Sequence, residues 1–335
     1  MTALRMALVG AGRIAAAYAD VLGGWGAVDI VGVADLDLSA SGSLADVLGC
    51  ESFSNHQELI DIAQPDAAII CTPPNTHHAI TIELLRAGVH VMCEKPLALS
   101  LDDAIEMIAV ADAAELTLTM ASKFRYVEDV VEARSIASSG VLGEIVLLEN
   151  NFASRVDMST RWNSDLDVAG GGVLIDNGTH SVDLVRFFVE PISQVMALEG
   201  KRTQAVTVED TAQVFLRSES GVRATIDLSW SLNKERPWFL EVYASEGTIQ
   251  VGWDESRYRL GARDEWISFG SGYDKKKAIR DQVANFARGI QGVEQLVITG
   301  LDALASVEVV DAAYQSLRQD DWVTVGAPNT ATTLR

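Results

Sequence analysis

The stretch Val9-Gly10-Ala11-Gly12-Arg13-Ile14-Ala15 decides the fold. It follows an apolar run at residues 6–9 and opens a segment with helical periodicity at residues 13–22. G-x-G-x-x-A between a strand and a helix is the dinucleotide-binding fingerprint: the first glycine permits the tight turn, and the second lets the backbone approach a pyrophosphate. The pyrophosphate would lie at the helix N-terminus, where free N–H groups and the helix dipole favour anions. This stretch predicts a Rossmann domain.

An acidic residue at the end of the next predicted strand indicates which dinucleotide binds. Asp35 follows the apolar run at residues 30–34 and lies 23 residues after Gly12, near the spacing of the acid that accepts from a ribose 2′-OH. Leu36 follows it, with no Lys or Arg nearby to receive a 2′-phosphate. We therefore predict NAD rather than NADP. The residues predicted to hold it on this side of the domain are Gly10, Gly12, Arg13, Ile14, Asp35 and Leu36.

Two further motifs lie where predicted strands end, at the edge of a parallel sheet where ligands bind. Residues 71–78 read C-T-P-P-N-T-H-H, and residues 94–96 read E-K-P. Lys95 is one of only four cations among residues 1–122, which carry sixteen acids. A Lys at this edge can hold and polarise a substrate hydroxyl, and burial readily shifts its pKa. The cofactor contacts predicted at these two ends are Thr72, Pro73, Asn75, His77, Glu94 and Lys95. His78 is read either as a cofactor contact or as a solvated residue at a helix start.

Residues 169–183, A-G-G-G-V-L-I-D-N-G-T-H-S-V-D, form the most specific stretch of the chain. Asp176 and His180 are four residues apart, so both project from one face of a helix. An imidazole titrates near neutral pH and can take the proton when a hydroxyl is oxidised. The alternative is an Asp–His pair that merely packs in the core. The flanking glycines weaken that alternative, because they allow another chain or a ligand to approach closely.

The pattern of elements changes near residue 122. Before it, short apolar runs alternate with helical segments, which predicts a doubly wound parallel sheet. After it, strands cluster between about residues 192 and 270, and helices are predicted at residues 275–288 and 301–318, which favours an α+β domain on an open sheet. We therefore divide the chain into domains at residues 1–122 and 123–330, with a loose polar tail at residues 328–335.

The charge balance excludes several classes of partner. The 335 residues include 47 acids and 26 Lys and Arg, a formal net charge of −21. Such a chain repels nucleic-acid phosphates and anionic membrane surfaces, so we expect neither as a partner. We also read no membrane-spanning run and no secretory signal. Three cysteines without C-x-x-C spacing are typical of buried thiols in a reducing cytoplasm, and no metal site is expected.

The four motifs, in this order, resemble the Gfo/Idh/MocA oxidoreductase family, which includes glucose–fructose oxidoreductase and inositol dehydrogenases. The resemblance extends over nearly the whole chain. It implies a Rossmann domain followed by an α+β domain with a large, open-faced, mostly antiparallel sheet, which binds substrate and assembles homodimers or homotetramers. It also implies that Lys95, Asp176 and His180 are the catalytic set.

The resemblance further implies a cytoplasmic, NAD-dependent dehydrogenase acting on CH–OH groups. Its substrate would be a secondary alcohol or ketone of a sugar, nucleotide sugar or cyclitol. Arg can grip a phosphate bidentately, and two arginines before the glycine run favour a phosphorylated or nucleotide-linked sugar, unless they pair with local acids such as Asp157, Asp165 and Asp167. The residues predicted to line the substrate site are Lys123, Arg125, Tyr126, Arg155, Arg161, Trp162 and Asn177.

Three other functions stay open at this point. They are a non-catalytic regulator that binds NAD and a sugar, a reductase of an imine or an unsaturated ring on the same fold, and a structural oligomer. Regulators of this kind usually lose part of the catalytic set. The presence of Lys95, Asp176 and His180 favours an enzyme.

Overall fold

The computed structural model describes residues 3–189, 191–261 and 265–326. The described residues form two compact units. The first unit contains residues 3–128, 167–170 and 274–307, and the second contains residues 129–166, 171–273 and 308–326.

The strands and helices are numbered in chain order. The strands are β1 (Leu4–Val9), β2 (Val28–Ala34), β3 (Glu51–Phe53), β4 (Ala67–Ile70), β5 (His90–Glu94), β6 (Leu118–Ala121), β7 (Ile145–Ala153), β8 (Ile192–Glu199), β9 (Thr211–Ser218), β10 (Arg223–Ser229), β11 (Trp238–Ala244), β12 (Gly247–Gly252), β13 (Ser256–Leu260), β14 (Ile267–Gly270) and β15 (Val323–Thr324). The helices are α1 (Arg13–Leu22), α2 (Leu38–Leu48), α3 (His56–Ala63), α4 (His77–Arg86), α5 (Leu101–Ala113), α6 (Glu128–Ser138), α7 (Leu166–Ala169), α8 (Val173–Phe188), α9 (Lys275–Ile290) and α10 (Gly300–Gln319).

The first unit is built on a parallel sheet with the strand order β3-β2-β1-β4-β5-β6. Its central strands are continuous apolar runs because both faces of the sheet are covered; every residue of β4, for example, is buried. The order reverses between β1 and β4, so the crevice between their carboxyl ends is the position where such sheets bind ligands. The predicted Rossmann fold is confirmed. Strand β3 escaped the sequence analysis because only Phe53 of its three residues is buried.

Helix α9 belongs to the first unit, although the sequence division at residue 122 assigned it to the second domain. Its residues Ile279, Val283 and Phe286 are buried in one core cluster with Tyr18 of α1. The chain therefore leaves the first unit and returns to it. A single boundary drawn along the sequence cannot represent this, because the contacts with α1 join residues more than 250 positions apart. The predicted tail at residues 328–335 lies outside the described residues.

The second unit is built on a nine-stranded sheet with the order β14-β13-β12-β11-β7-β10-β9-β8-β15. Only β7 and β10 pair in parallel, and the other pairs are antiparallel. Helix α8 covers one face, so alternate residues of β9, such as Val214 and Leu216, are buried there while Gln213 and Arg217 on the other face are exposed. The predicted open-faced, mostly antiparallel sheet is confirmed.

All three cysteine thiols are free. Cys71 and Cys93 are buried, as predicted, whereas Cys50 is only half-buried. Burial raises the pKa of Cys50 to about 11, so this thiol is protonated and unreactive at neutral pH.

Across residues 3–189, 191–261 and 265–326, we find no helix with the combined length and apolar character that crossing a membrane requires.

Candidate active site

The two glycines of the fingerprint are needed for different reasons. Gly10 has φ +101°, and a Cβ there would lie 2.8 Å from the carbonyl carbon of Cys71, so the turn between β1 and α1 excludes every other residue. A Cβ on Gly12 would meet no atom within 4 Å. Gly12 is the N-cap of α1, and no side chain caps this helix. The N–H groups of its first turn therefore open onto free space, which fits the pyrophosphate of a dinucleotide.

The carboxylate of Asp35 shapes the same turn. Its Oδ2 accepts from the N–H of Ala11 at 2.6 Å, and its Oδ1 accepts from the N–H of Asp37 at 2.8 Å. Each oxygen keeps a second lone pair for a ribose hydroxyl. Leu36 is 91% exposed beside it. Asp35 therefore holds the glycine turn as well as occupying the predicted ribose-binding position.

Substituting Asp35 tests the cofactor preference. Asp35→Asn removes the negative charge that repels a 2′-phosphate, and its single amide oxygen can replace only one of the two carboxylate oxygens that accept from Ala11 and Asp37. We expect the ratio of the Kd for NADPH to the Kd for NADH to fall by at least about tenfold, measured by fluorescence titration. Asp37→Asn is the matched control, because Asp37 caps α2 two residues away. An unchanged ratio in Asp35→Asn would mean that Asp35 does not discriminate between the cofactors.

His77 joins the loops that follow β4 and β5. The side chain is fully buried, with Nδ1 2.8 Å from the carbonyl oxygen of Pro96 and Nε2 3.0 Å from that of Thr72. Burial lowers the pKa of His77, although both carbonyls oppose this effect. Both ring nitrogens of His77 face backbone carbonyls, and the ring fixes the two loops to each other. Its contact with the cofactor stays a prediction.

Two other residues near this loop, Asn75 and His78, bond to residues elsewhere in the first unit. Asn75 is exposed, and its Nδ2 donates to the carbonyl oxygen of Asp167 at 3.3 Å. His78 is half-buried on α4, with Nε2 3.0 Å from Oε2 of Glu106 on α5. Of the two readings of His78, the structure favours the solvated residue at a helix start.

A hydrogen-bonded chain supports the E-K-P loop from behind. Nε2 of Gln282 donates to the hydroxyl of Tyr18 at 2.9 Å, and that hydroxyl donates to Oε1 of Glu94 at 2.8 Å. Oε2 of Glu94 accepts from the N–H of Lys95 at 3.2 Å. Burial raises the pKa of Glu94, while the positive charges of Lys123 and Lys95 limit the rise. The Glu94 carboxylate thus positions the backbone of Lys95, and Tyr18 of α1 in turn positions that carboxylate.

Two residues predicted to bind substrate instead pack inside the first unit. Arg125 is 3% exposed, with Nη1 3.4 Å from both the carbonyl oxygen of Val297 and Oδ1 of Asp302. The hydroxyl of Tyr126 donates to Oδ1 of Asn285 at 2.9 Å. These contacts arise because the short turn at Lys123–Tyr126 packs against α9. Contact of Arg125 and Tyr126 with substrate stays a prediction. Lys123 is half-buried in this turn.

Helix α8 carries the predicted catalytic pair of the second unit. Asp176 and His180 lie one turn apart; Asp176 is half-buried and His180 is 7% exposed. Nδ2 of Asn177 donates to the carbonyl oxygen of Phe152 at 3.3 Å, so its amide group contacts the end of β7. A Cβ on Gly178 would lie 3.1 Å from Leu228 of β10, so this glycine lets α8 pack closely on the sheet.

The N-terminus of α8 is held by a buried glutamate that the sequence analysis missed. Oε1 of Glu209 accepts from the N–H groups of Gly172 at 2.8 Å and Leu174 at 3.1 Å, and from the hydroxyl of Tyr314 at 2.7 Å. Burial raises the pKa of Glu209, and these three donors limit the rise. A Cβ on Gly172 would lie 2.0 Å from the Glu209 carbonyl oxygen, and one on Gly171 would lie 1.9 Å from the Tyr314 hydroxyl. These two glycines therefore make room for Glu209 and Tyr314.

The next residue, Asp210, is also fully buried and was also missed. Its Oδ2 accepts from the N–H groups of Thr203 and Gln204 at 2.9 and 3.0 Å, and from the hydroxyl of Ser231 at 2.7 Å. Burial alone would raise the pKa of Asp210, but these hydrogen bonds outweigh it and hold the pKa below its ordinary value. The sequence gives only one signal for both acids: they directly precede a strand whose alternate residues are apolar.

The segment after β7 carries three of the predicted substrate residues. Arg155 and Trp162 are exposed and Arg161 is half-buried. Hydrogen bonds from Ser159 lower the pKa of Asp157, and the charge of Arg161 adds to this effect.

Within residues 3–189, 191–261 and 265–326, no three His, Cys, Asp or Glu side chains are grouped in a way that could hold a metal ion.

Comparisons with known proteins agree with this geometry. A family model described as "Oxidoreductase family, NAD-binding Rossmann fold" matches residues 4–122, and the "GFO/IDH/MocA C-terminal domain" model matches residues 130–250. The chain is 25% identical to inositol 2-dehydrogenase of Rhizobium meliloti, over 96% of this chain and 99% of that one. It is 26% identical to D-apiose dehydrogenase of Paraburkholderia graminis, over 87% and 81%.

A solved structure adds to the evidence from the sequence matches. GenD2 from gentamicin A biosynthesis, in complex with NAD, is 26% identical with a TM-score of 0.86, covering 98% of this chain and 97% of that one. Both domain models, in the expected order, cover most of the chain. The chain therefore belongs to the GFO/IDH/MocA family of oxidoreductases, and its first unit is an NAD-binding Rossmann domain.

Proposed function

We propose that the chain is an NAD(H)-dependent dehydrogenase that oxidises a secondary alcohol of a sugar, nucleotide sugar or cyclitol, or reduces the corresponding ketone. The observation that carries this proposal is the Asp176–His180 pair, one turn apart on α8, with His180 held in a buried position. The relatives named above are a cyclitol dehydrogenase and a sugar dehydrogenase by name. Both names fit a substrate with several neighbouring hydroxyl groups.

The chemistry divides between the cofactor and the chain. When bound, the dinucleotide would supply the acceptor for the hydride that leaves the carbinol carbon. His180 takes the hydroxyl proton, so that the C–H and O–H bonds are replaced by a C=O bond. The ammonium group of Lys95 stabilises the negative charge that develops on the oxygen, and Asp176 orients a neighbouring hydroxyl or the imidazole.

The cofactor contacts in this proposal follow the strand ends of the first unit. The N–H groups at the start of α1 bind the pyrophosphate and Asp35 accepts from a ribose hydroxyl. His77 joins two of the loops that carry these contacts. The proposed contacts are Gly10, Gly12, Arg13, Ile14, Asp35, Leu36, Thr72, Pro73, Asn75, His77, Glu94 and Lys95.

The substrate contacts in this proposal lie on the segment after β7 and on α8. Arg155 and Arg161 supply positive charge, and Trp162, which is 45% exposed, offers a ring that can stack on a sugar face. Since Arg binds phosphate in a bidentate manner, we favour a phosphorylated or nucleotide-linked sugar. Lys123 and Asn177 complete the proposed set.

A substrate panel tests the proposed function. Wild-type protein with NAD⁺ is incubated with myo-inositol, D-apiose, glucose 6-phosphate and a uridine diphosphate sugar, and NADH fluorescence is followed. We expect turnover of at least one compound, and the largest thermal stabilisation from the phosphorylated or nucleotide-linked ones. Stabilisation by a free cyclitol alone would overturn the preference for phosphate. Binding of NADH and a sugar without any turnover would identify a non-catalytic regulator.

We also propose that the protein is cytoplasmic and forms a homodimer or homotetramer. The face of the second sheet opposite α8 is open to solvent, so it is the surface through which we propose the assembly. It carries polar side chains from neighbouring strands, such as Gln213 and Asp227, which bond to each other at 2.8 Å. Sedimentation equilibrium measures the mass directly, and a monomer at micromolar concentration would contradict the proposal.

A further inference from the structure

We propose that Glu209 and Asp210 form a positioning pair: Glu209 fixes the helix that carries the catalytic residues, and Asp210 fixes the segment that carries the substrate residues. This inference rests on the proposed function of those residues. All of the contacts involved lie within the second unit. Both acids are buried, at 5% and 0% exposure, and the contacts argued here are hydrogen bonds from backbone N–H groups and hydroxyls.

The first half of the pair acts on α8. Three donors converge on Oε1 of Glu209, and two of them are the N–H groups of Gly172 and Leu174 at the start of the helix. The backbone of Glu209 adds a third link, since its carbonyl oxygen accepts from the N–H of Val173 at 2.9 Å. Asp176 lies within the first turns of this helix and His180 one turn further. A shift of the helix start therefore shifts both catalytic side chains.

The second half of the pair acts through Gln204. Asp210 binds the N–H of Gln204 and the hydroxyl of Ser231, and that hydroxyl also lies 3.0 Å from Nε2 of Gln204. The backbone N–H and the side chain of Gln204 thus close a ring of hydrogen bonds with the side chains of Asp210 and Ser231, which fixes the Gln204 amide in one orientation.

The oriented amide grips the substrate segment at two points. Nε2 of Gln204 donates to the carbonyl oxygen of Val156 at 2.9 Å, and its Oε1 accepts from the N–H of Met158 at 2.9 Å. The Gln204 side chain thus makes the hydrogen bonds to residues 156–158 that the backbone of a neighbouring strand would otherwise make. Arg155 directly precedes these residues, and Arg161 follows three residues later. The hydrogen bonds from Gln204 therefore fix the backbone positions from which both arginine side chains extend.

The two acids are adjacent in sequence, so a displacement of one backbone is passed to the other. The carbonyl oxygen of Asp210 accepts from the N–H of Trp230 at 2.8 Å, immediately after β10. A displacement of residues 209–210 therefore moves the catalytic helix and the substrate segment together. The pair thus fixes the position of His180, which takes the proton, relative to Arg155 and Arg161, which hold the substrate.

The test separates the two halves by kinetics. For the panel compound that is turned over, Asp210→Ala and Gln204→Ala are expected to raise KM by about tenfold or more with kcat within about threefold, because substrate contacts are displaced. Glu209→Ala is expected to lower kcat by about 10²-fold with a smaller change in KM, since misplacement by about 1 Å costs that much. Glu209→Gln keeps an acceptor oxygen and should recover part of kcat. The matched control is Asp129→Asn, because Asp129 is a buried carboxylate that accepts from the N–H of Gly272 away from both segments.

A second measurement needs no substrate, so it distinguishes failure of this inference from failure of the proposed function. Trypsin cleavage after Arg155 and Arg161 should accelerate in Gln204→Ala and Asp210→Ala but not in Glu209→Ala. Amide hydrogen exchange of residues 172–175 should accelerate in Glu209→Ala alone. The inference is overturned if all variants, including Asp129→Asn, change in parallel, since that would reflect a general loss of stability. It is also overturned if neither cleavage nor exchange changes.

Discussion

The variant His180→Ala is expected to turn over substrate about 10²–10⁴ times more slowly than the wild type, the usual contribution of a positioned general base. Our structure places this imidazole on α8 with 7% of its surface exposed, so solvent water is a poor substitute for it. The effect should appear in kcat, because the proton is transferred in the transition state. Steady-state kinetics with the best panel compound measures it.

Two controls make the His180 experiment specific. His78→Ala removes a histidine that contacts Glu106 on the surface of the first unit, and it should leave kcat unchanged. Added imidazole should restore part of the turnover of His180→Ala, because it replaces the missing base. A wild-type kcat in His180→Ala would contradict the assignment of His180 as the base.

The second large effect is expected at Lys95. Lys95→Ala should lower kcat by about 10²–10³-fold, the typical cost of removing one group that stabilises a developing oxyanion. Lys95→Arg keeps the charge but should recover little, because a planar guanidinium cannot occupy the place of a compact ammonium group. NADH affinity, measured by fluorescence titration, should change much less than kcat in both variants.

The control for Lys95 is another lysine of the same unit. Lys276 is 71% exposed and pairs with Asp20 at 2.7 Å, so Lys276→Ala should leave both kcat and NADH affinity unchanged. If Lys95→Ala instead weakened NADH binding as strongly as it lowered kcat, Lys95 would be a cofactor ligand with no separate role in the reaction.

The first unit was predictable because local patterns report its structure directly. A parallel sheet buried on both faces produces continuous apolar runs, and the glycine turn after β1 has a required φ at Gly10. Helix α9 could not be assigned to the first unit in this way, because its partner, α1, lies at the other end of the chain.

The candidate site was less predictable, because the role of a polar residue depends on partners that are distant in sequence. In the sequence Arg125 resembles a ligand-binding cation, whereas in the structure its Nη1 lies beside Oδ1 of Asp302. His77 resembles a cofactor contact, whereas its Nδ1 lies beside the carbonyl oxygen of Pro96. The glycines at 171 and 172 were read as room for a ligand or another chain, whereas Tyr314 and Glu209 fill that space. Spacing within one helix, as for Asp176 and His180, is the information that a sequence carries well.

The parallel pairing of β7 with β10 has a consequence for engineering. Because both strands run in the same direction, the segments that follow them leave the sheet side by side, joined by hydrogen bonds from Ser154 to Ser229 and from Val156 to Trp230. Beyond these two hydrogen bonds, the side chain of Gln204 also bonds to both segments, at the carbonyl oxygens of Val156 and Trp230. We therefore expect residues 159–163, which are exposed or half-buried, to tolerate exchange with the strand register left intact. If the proposed function is correct, such exchanges change which substrates the protein accepts.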